Sequence, residues 1–225
     1  GFWSGRGVGQ YFFGSSADIP ASGDYDGDGT SEIAVFRPAT GLWAARAVTR
    51  AVFGADGDIP VPADYNGDGK TDIGIFREDR GLWRIRDFTR LYLGKAGDFP
   101  VPGDYEGLMD GKADLAVFRP SQGLWVLNGF SRFYLGTQGD YPVPADYDVF
   151  PGEALAVFRG TTGMWHIYGY ATYYFGQVGD DRVPADYDGD DIDDIAIFRD
   201  TQGFWAVRGL TTAYFGTGGD VPVTR

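Results

Sequence analysis

The chain has 225 residues, no cysteine, 36 glycines, 12 prolines and 16% aromatic residues, a mixture that suits short strands and tight turns and suits long helices poorly. A formal net charge of -13 argues against nucleic acid or an acidic membrane surface as the main partner and makes cations the natural one. Disulfide and thiolate chemistry are excluded, and no apolar run is long enough for a membrane-inserted helix. No charged-then-apolar signal segment opens the chain at Gly1, a start compatible with a mature or trimmed secreted fragment.

In chain order, segment 1–16 opens with two strand-like pieces, around Phe2 and Trp3 and from Tyr11 to Gly14. A four-part unit then begins and repeats: an edge-like segment such as Ile59 to Tyr65, an acidic loop, an apolar run such as Ile33 to Arg37, a "GLW" segment such as Gly41 to Arg46, and a segment ending in Phe-Gly or Leu-Gly such as Tyr173 to Gly176. The six tryptophans, Trp3, Trp43, Trp83, Trp125, Trp165 and Trp205, are 40, 40, 42, 40 and 40 residues apart, which marks units at approximately 17–56, 57–96, 97–138, 139–178 and 179–218, with a remnant at 219–225.

Four strands in 40 residues, joined by loops too short for a helical crossover, predict an all-β chain in a single domain: a β-propeller of four-stranded antiparallel blades. A β-solenoid is the competing repeat architecture, but its coils are usually shorter. The prolines two apart (Pro60 and Pro62, Pro100 and Pro102, Pro142 and Pro144) place the first strand of each unit at a blade edge, because their missing N–H groups cannot serve a neighbouring strand. Five units are complete. The termini hold strand-like pieces of a sixth, so the count leans to six blades, with five as the alternative.

The loop between the first and second strands carries the chemistry. In the first unit, Asp24, Asp26, Asp28, the Thr30 carbonyl and Glu32 alternate with small or backbone-only positions, which is how a short loop wraps oxygens around one hard cation. Calcium takes six to eight such ligands and tolerates flexible geometry, whereas magnesium demands a tight octahedron, so calcium is the expected ion. The second loop offers Asp64, Asn66, Asp68, the Lys70 carbonyl and Asp72, and the fifth Asp186, Asp188, Asp190, the Ile192 carbonyl and Asp194. The third, with Asp104, Glu106, Asp110, the Lys112 carbonyl and Asp114, has two extra residues and needs a bulge to converge; the fourth, with Phe150 and Ala154 at ligand positions, is expected to bind nothing. Asp-Gly loops also form as plain turns, but three aligned matches outweigh that reading.

The run of Phe-Gly, Gly-Asp, "PVPADY", acidic loop, "IAVFR" and "GLW" resembles the FG-GAP or VCBS repeats of bacterial extracellular proteins, which integrin α chains share. The resemblance implies a propeller whose loops bind calcium structurally, an extracellular setting, and adhesive or accessory binding roles. It does not identify a ligand.

Other repeated residues read first as fold residues. Arg37, Arg77, Arg119, Arg159 and Arg199 recur with Asp18, Asp58, Asp98, Asp140 and Asp180, which predicts ion pairs between strands rather than an anion clamp. The tryptophans are expected between blades rather than as sugar platforms. The hairpin tips Val48, Phe88, Phe130, Tyr170 and Leu210 form either an exposed partner rim or core. His166, the single histidine, has no Ser-His-Asp companions in the sequence. Together these observations lead us to expect a secreted, calcium-stabilised binding or adhesion module for glycan or protein ligands and not an enzyme. The alternative is a scaffold or accessory domain of an extracellular enzyme such as a glycan-cleaving one, for which Glu78, Glu106 and Glu153 are the non-repeated acidic candidates.

Overall fold

β-Branched and aromatic runs bounded by glycines set the strands of the computed structural model, which describes residues 1–5, 9–105, 111–129, 132–148 and 152–223. A hairpin of β1 (Phe2–Gly5) and β2 (Gly9–Phe12) precedes five four-stranded antiparallel blades. Blade 1 holds β3 (Ile19–Pro20), β4 (Ala34–Arg37), β5 (Leu42–Ala45) and β6 (Thr49–Val52); blade 2 holds β7 (Asp58–Pro60), β8 (Gly74–Arg77), β9 (Leu82–Ile85) and β10 (Thr89–Tyr92). Blade 3 holds β11 (Phe99–Pro100), β12 (Ala116–Arg119), β13 (Leu124–Leu127) and β14 (Arg132–Tyr134), and blade 4 holds β15 (Tyr141–Pro142), β16 (Ala156–Arg159), β17 (Met164–Ile167) and β18 (Ala171–Tyr174). Blade 5 holds β19 (Asp181–Arg182), β20 (Ala196–Arg199), β21 (Phe204–Val207) and β22 (Thr211–Tyr214). Helix is confined, among the described residues, to three 3-10 turns at Pro38–Thr40, Glu78–Arg80 and Asp200–Gln202.

The complete blades number five, the alternative count. Among the described residues, Asp220 to Val223 forms no strand and β1–β2 stays two-stranded, so a sixth blade is not assembled. The physical reason lies in what the termini carry: a first strand at one end and third and fourth strands at the other. Without a second strand between them, the first and third would be about 10 Å apart, two strand spacings, and cannot hydrogen-bond.

Each first strand pairs on one side only, as the prolines require, but it is shorter than the sequence suggests. Two or three residues are followed by an isolated bridge, Ala63 to Asp72 in blade 2 and its equivalents elsewhere. The tyrosine after the first loop aspartate closes this edge: Tyr65 donates its hydroxyl hydrogen to the Val61 carbonyl at 2.8 Å, and Tyr25, Tyr105, Tyr147 and Tyr187 do the same at 2.7–3.0 Å. First strands of successive blades approach one another, with Phe99 and Tyr141 stacked at 6.4 Å and Arg182 lying 4.3 Å over Tyr141. The fourth strands turn Tyr92, Tyr134, Tyr174 and Tyr214 outward to solvent.

Four cores each span one blade and the next, while a fifth, of Val183, Ala196, Phe198 and Val207, belongs to blade 5 alone. Phe36 and Trp43 of blade 1 pack with Ile73 and Ile75 of blade 2, and the pattern recurs from blade 2 to 3, 3 to 4 and 4 to 5. Trp43, Trp83, Trp125 and Trp165 are at most 1% exposed, and each tryptophan donates its indole N–H to the carbonyl ten residues on at 2.9–3.2 Å. They are packing residues, as expected, and a buried indole of this size removes a large apolar area from water.

The repeated glycines have a shared steric reason. Gly81 ends its turn at φ +59°, and a β-carbon there would sit 2.2 Å from the Gly94 carbonyl oxygen. Gly94 itself, at φ +102°, faces Val117 of the next blade and the carboxylate of Asp98. Two glycines therefore let backbone meet backbone where the fourth strand leaves one blade for the next.

Candidate metal centres and surface grooves

Loop 1 gathers its side chains around one point. One carboxylate oxygen from each of Asp24, Asp26, Asp28 and Glu32 lies within 4.8 Å of the others. The glycines make this possible, with Gly27 at φ +80° and Gly29 at φ +86°. The Asp24 carboxylate accepts N–H groups from Gly27 at 2.6 Å and Gly29 at 2.8 Å, Asp28 accepts from Thr30 at 2.8 Å, and Glu32 reaches back to the Tyr25 N–H at 2.8 Å. Desolvation pushes the Asp24 carboxyl up, but the N–H donors of Gly29, Gly27 and Asp28 outweigh it and hold the group below the ordinary aspartate range.

Loop 5 gathers Asp186, Asp188 and Asp194 in the same way; Asp190 stands outside the group and accepts the Ile192 N–H at 3.0 Å. Asp191 occupies the turn-glycine position at φ +66°, so the loop keeps its shape without glycine. Burial, with Asp188, Asp190 and Asp186 as like charges, pushes the Asp194 carboxyl up, while the Gly189 N–H above all draws Asp186 down. In loop 2, Asp64, Asp68 and Asp72 do not gather within that distance, and Asn66 donates its amide N–H to both oxygens of Asp72 at 3.0 Å. Burial first, then Asp64 and Asp68, raise the Asp72 carboxyl. A cation between Asn66 and Asp72 requires the amide to rotate and present its oxygen. The Lys70 stem crosses Gly27 of loop 1, and that of Lys112 crosses Gly67 of loop 2.

In loop 3, Glu106 and Asp110 lie outside the described residues; Asp104, Lys112 and Asp114 are described, and Asp114 accepts the Tyr105 N–H at 3.1 Å. Phe150 of loop 4 also lies outside them. The hard-cation chemistry of the donor set therefore fits loop 1 best, then loop 5, then loop 2 after one amide rotation.

A second acidic grouping has no signature in the sequence. Glu153, which directly precedes the last ligand position of loop 4, donates its backbone N–H to the Asp104 carbonyl at 2.8 Å across the blade junction. Its Oε2 and the Oδ1 of Asp104 and of Asp146 are buried with no hydrogen-bond partner among the described residues. Burial, with Asp104, Asp193 and Asp146 as like charges, pushes the Glu153 carboxyl up to about 7, against an opposing hydrogen bond from the Asp104 backbone. Sequence alone could not pair Glu153 with Asp104, because the pairing depends on how one blade leans on the next. Of the other acidic candidates, Glu78 accepts the Gly97 N–H at 2.8 Å at the surface, and Glu106 lies outside the described residues.

The predicted Arg–Asp pairs form in all five blades. Each arginine donates Nε and Nη2 to the two oxygens of its aspartate at 2.6–2.9 Å, and the aspartates are buried. His166 faces Thr172 across the hairpin, Nδ1 to Oγ1 2.6 Å, at the surface. The hairpin tips Val48, Phe88, Tyr170 and Leu210 point to solvent, at 36%, 56%, 56% and 44% exposure, which resolves rim against core in favour of the rim; Phe130 lies outside the described residues.

Two grooves lie between units. One of about 300 Å³, between the β1–β2 hairpin and blade 1, is bounded by Tyr11, Asp26, Glu32 and Arg46; the other, of about 610 Å³, lies between blades 1 and 2 and is rich in arginine. Among the described residues no helix is long and apolar enough to cross a membrane. Comparison with family models, curated proteins and solved structures returns no match.

Proposed function

We propose that this chain is a calcium-stabilised β-propeller of the FG-GAP or VCBS kind, acting outside the cell as a binding module for a glycan or protein ligand. The observation that carries the reading is the division of labour between repeated and non-repeated residues. Repeated residues are committed to the fold: the tryptophans to cores, the arginines to buried aspartates, the acidic loops to turns whose carboxylates converge in loops 1 and 5. What varies from blade to blade lies at the hairpin tips and between units, where Phe88, Tyr170 and the two grooves face solvent. A fold of this kind offers many positions for recognition while its scaffold stays constant. The repeat resemblance supports the extracellular setting.

Calcium here is structural. A loop that binds an ion only in the folded state stabilises that state by mass action, about 2.7 kcal/mol per site when calcium stands at 100 times its dissociation constant. Thermal unfolding with calcium and with EDTA, at matched ionic strength, tests this half of the proposal: the midpoint is higher with calcium, and an unchanged midpoint refutes it. A glycan array on calcium-loaded protein tests the other half. Binding to a defined glycan set supports the module reading, and silence across the array moves it to protein ligands.

A further inference from the structure

Blade 2 departs from its siblings in one respect that the fold does not require. In the hairpin of β9 and β10, Arg84 and Arg90 stand directly opposite each other in register. The same pair is Ala44 and Arg50 in blade 1, Val126 and Arg132 in blade 3, His166 and Thr172 in blade 4, and Ala206 and Thr212 in blade 5. Like charges placed opposite each other across a sheet destabilise it. No carboxylate among the described residues lies within 4.0 Å of either guanidinium: Arg84 rests 4.7 Å over the Phe53 ring, and Arg90 donates Nη2 to the Tyr92 hydroxyl at 3.3 Å.

Both arginines line the groove between blades 1 and 2, with Arg80, Arg86, Phe53 and Phe88. Arg80 also breaks the repeat, replacing Thr40, Gln122, Thr162 and Gln202. Its nearest acid, Asp79, is 3.5 Å away with both side chains 65% exposed, so water screens the pair. The position of Arg86 elsewhere covers a ring, Arg46 over Tyr11 at 4.3 Å and Arg208 over Tyr173 at 3.9 Å. Blade 1 has Ala51 in the place of that ring, and Arg86 turns to Asp87 at 3.4 Å instead. Five arginines thus line a space of about 610 Å³ on a chain whose net charge is -13; Arg77 is committed to Asp58 and Arg86 meets Asp87, the one carboxylate in the lining, which leaves Arg80, Arg84 and Arg90 to set its charge.

We propose that this groove is a binding subsite for an anionic saccharide, a short sugar whose carboxylate or sulfate bridges Arg84 and Arg90 while a sugar face lies against Phe88. The planar fork of arginine matches either oxyanion, and charge-assisted hydrogen bonds to it are the strong kind. The bridging anion removes the repulsion between the paired arginines, so ligand and sheet stabilise each other. Beyond about 8 Å exposed charges are largely screened, so a short ligand feels the local arginines rather than the negative charge of the chain as a whole. The proposal rests on reading the propeller as a glycan-binding module.

Calorimetric titration at fixed calcium decides it, with trigalacturonate, its fully methyl-esterified form and a sulfated galacto-oligosaccharide as probes. Trigalacturonate or the sulfated sugar binds; the ester binds roughly 10-fold more weakly than its acid or worse, since losing a charged hydrogen-bond partner commonly costs that much. Whichever of the two binds more tightly identifies the oxyanion as carboxylate or sulfate. Arg84→Ala and Arg90→Ala each lower affinity for the acid by roughly 10-fold and leave the melting temperature equal or higher, because each removes a like-charge neighbour. Equal binding of acid and ester, no binding of either anionic sugar, or full affinity in both variants overturns the subsite. If neither anionic sugar binds while array-positive neutral glycans do, the module reading stands and only the subsite falls; if no glycan binds at all, the subsite falls and the module reading moves to protein ligands.

Discussion

Arg159 holds Asp140 with both Nε and Nη2, each 2.7 Å from a carboxylate oxygen, and the aspartate side chain is 1% exposed. The Thr137 N–H adds a bond at 2.8 Å. The same clasp recurs in every complete blade and ties the first strand to the end of the second.

Removing the acid takes away the partner of a partly exposed guanidinium and the acceptor of the Thr137 N–H. Asp140→Ala is expected to cost about 2 kcal/mol at pH 7, measured by urea unfolding. Burial pushes Asp140 up, but Arg159 and the Thr137 N–H together hold it below the ordinary value of 3.8; Asp18 is lowered chiefly by its hydrogen bond with Arg37. A lowered folded-state value means that the contribution is complete above the unfolded value and is lost as pH falls through the folded one. The gap between parent and Asp140→Ala therefore holds from pH 7 to about 5 and narrows as pH falls below about 4; a gap that widens on acidification contradicts the assignment.

Ala47 and Asp87 adopt φ +65° and +57° at the hairpin position where the other blades use Gly129, Gly169 and Gly209. The repeats thus supply their own controls. Ala47→Gly is expected to stabilise by about 0.5–1 kcal/mol, and Asp87→Gly by less because aspartate tolerates this region better. Gly169→Ala, with open space around its β-carbon position, loses a similar amount from backbone strain alone. Midpoints from chemical unfolding of the three variants check the set, and a loss of stability in Ala47→Gly contradicts it.

Glu153 works in the opposite sense to Asp140. Its folded-state value of about 7 lies above the unfolded value, so the folded state holds the extra proton and stability falls as pH rises from about 4.5 to 7. Glu153→Gln in EDTA is expected to raise stability at pH 8 by on the order of 2 kcal/mol and to change little at pH 4. Melting curves of the two proteins across this range test the sign directly.

The ion count gives a further check. Asp28→Ala is expected to remove one calcium ion per chain by equilibrium dialysis, and Asp148→Ala to remove none, since loop 4 already has Phe150 and Ala154 in ligand positions. A lower count in Asp148→Ala refutes the ranking of the loops.

Much of this architecture is legible in the sequence, for a physical reason: a repeat states each constraint several times. Arg77 and Asp58 can be paired from their spacing alone because three other copies share its 19 residues and the fourth differs only by the two residues added in loop 3, and Trp83 can be placed in the core on the same ground. The features that are not legible depend on register or on blade-to-blade contact. Arg84 and Arg90 are six residues apart, and only the pairing of β9 with β10 sets them face to face. Glu153 and Asp104 are far apart in the chain and meet only because blade 4 leans on blade 3. The lean to six blades over the alternative of five failed for a related reason, since segments compatible with a sixth blade do not pair unless a middle strand joins them.

Asp24 belongs to two blades at once. Its carboxylate shapes its own loop, while its carbonyl accepts the Thr71 N–H of the following blade at 2.6 Å; Asp64, Asp104 and Asp146 likewise accept from Ala113, Glu153 and Asp193. The blades are buttoned in series, each fastened only to its neighbours. Damage in a chain fastened in this way stays local: a substitution at one joint loosens the two blades that share it, and substitutions at joints that share no residue are expected to add in their cost.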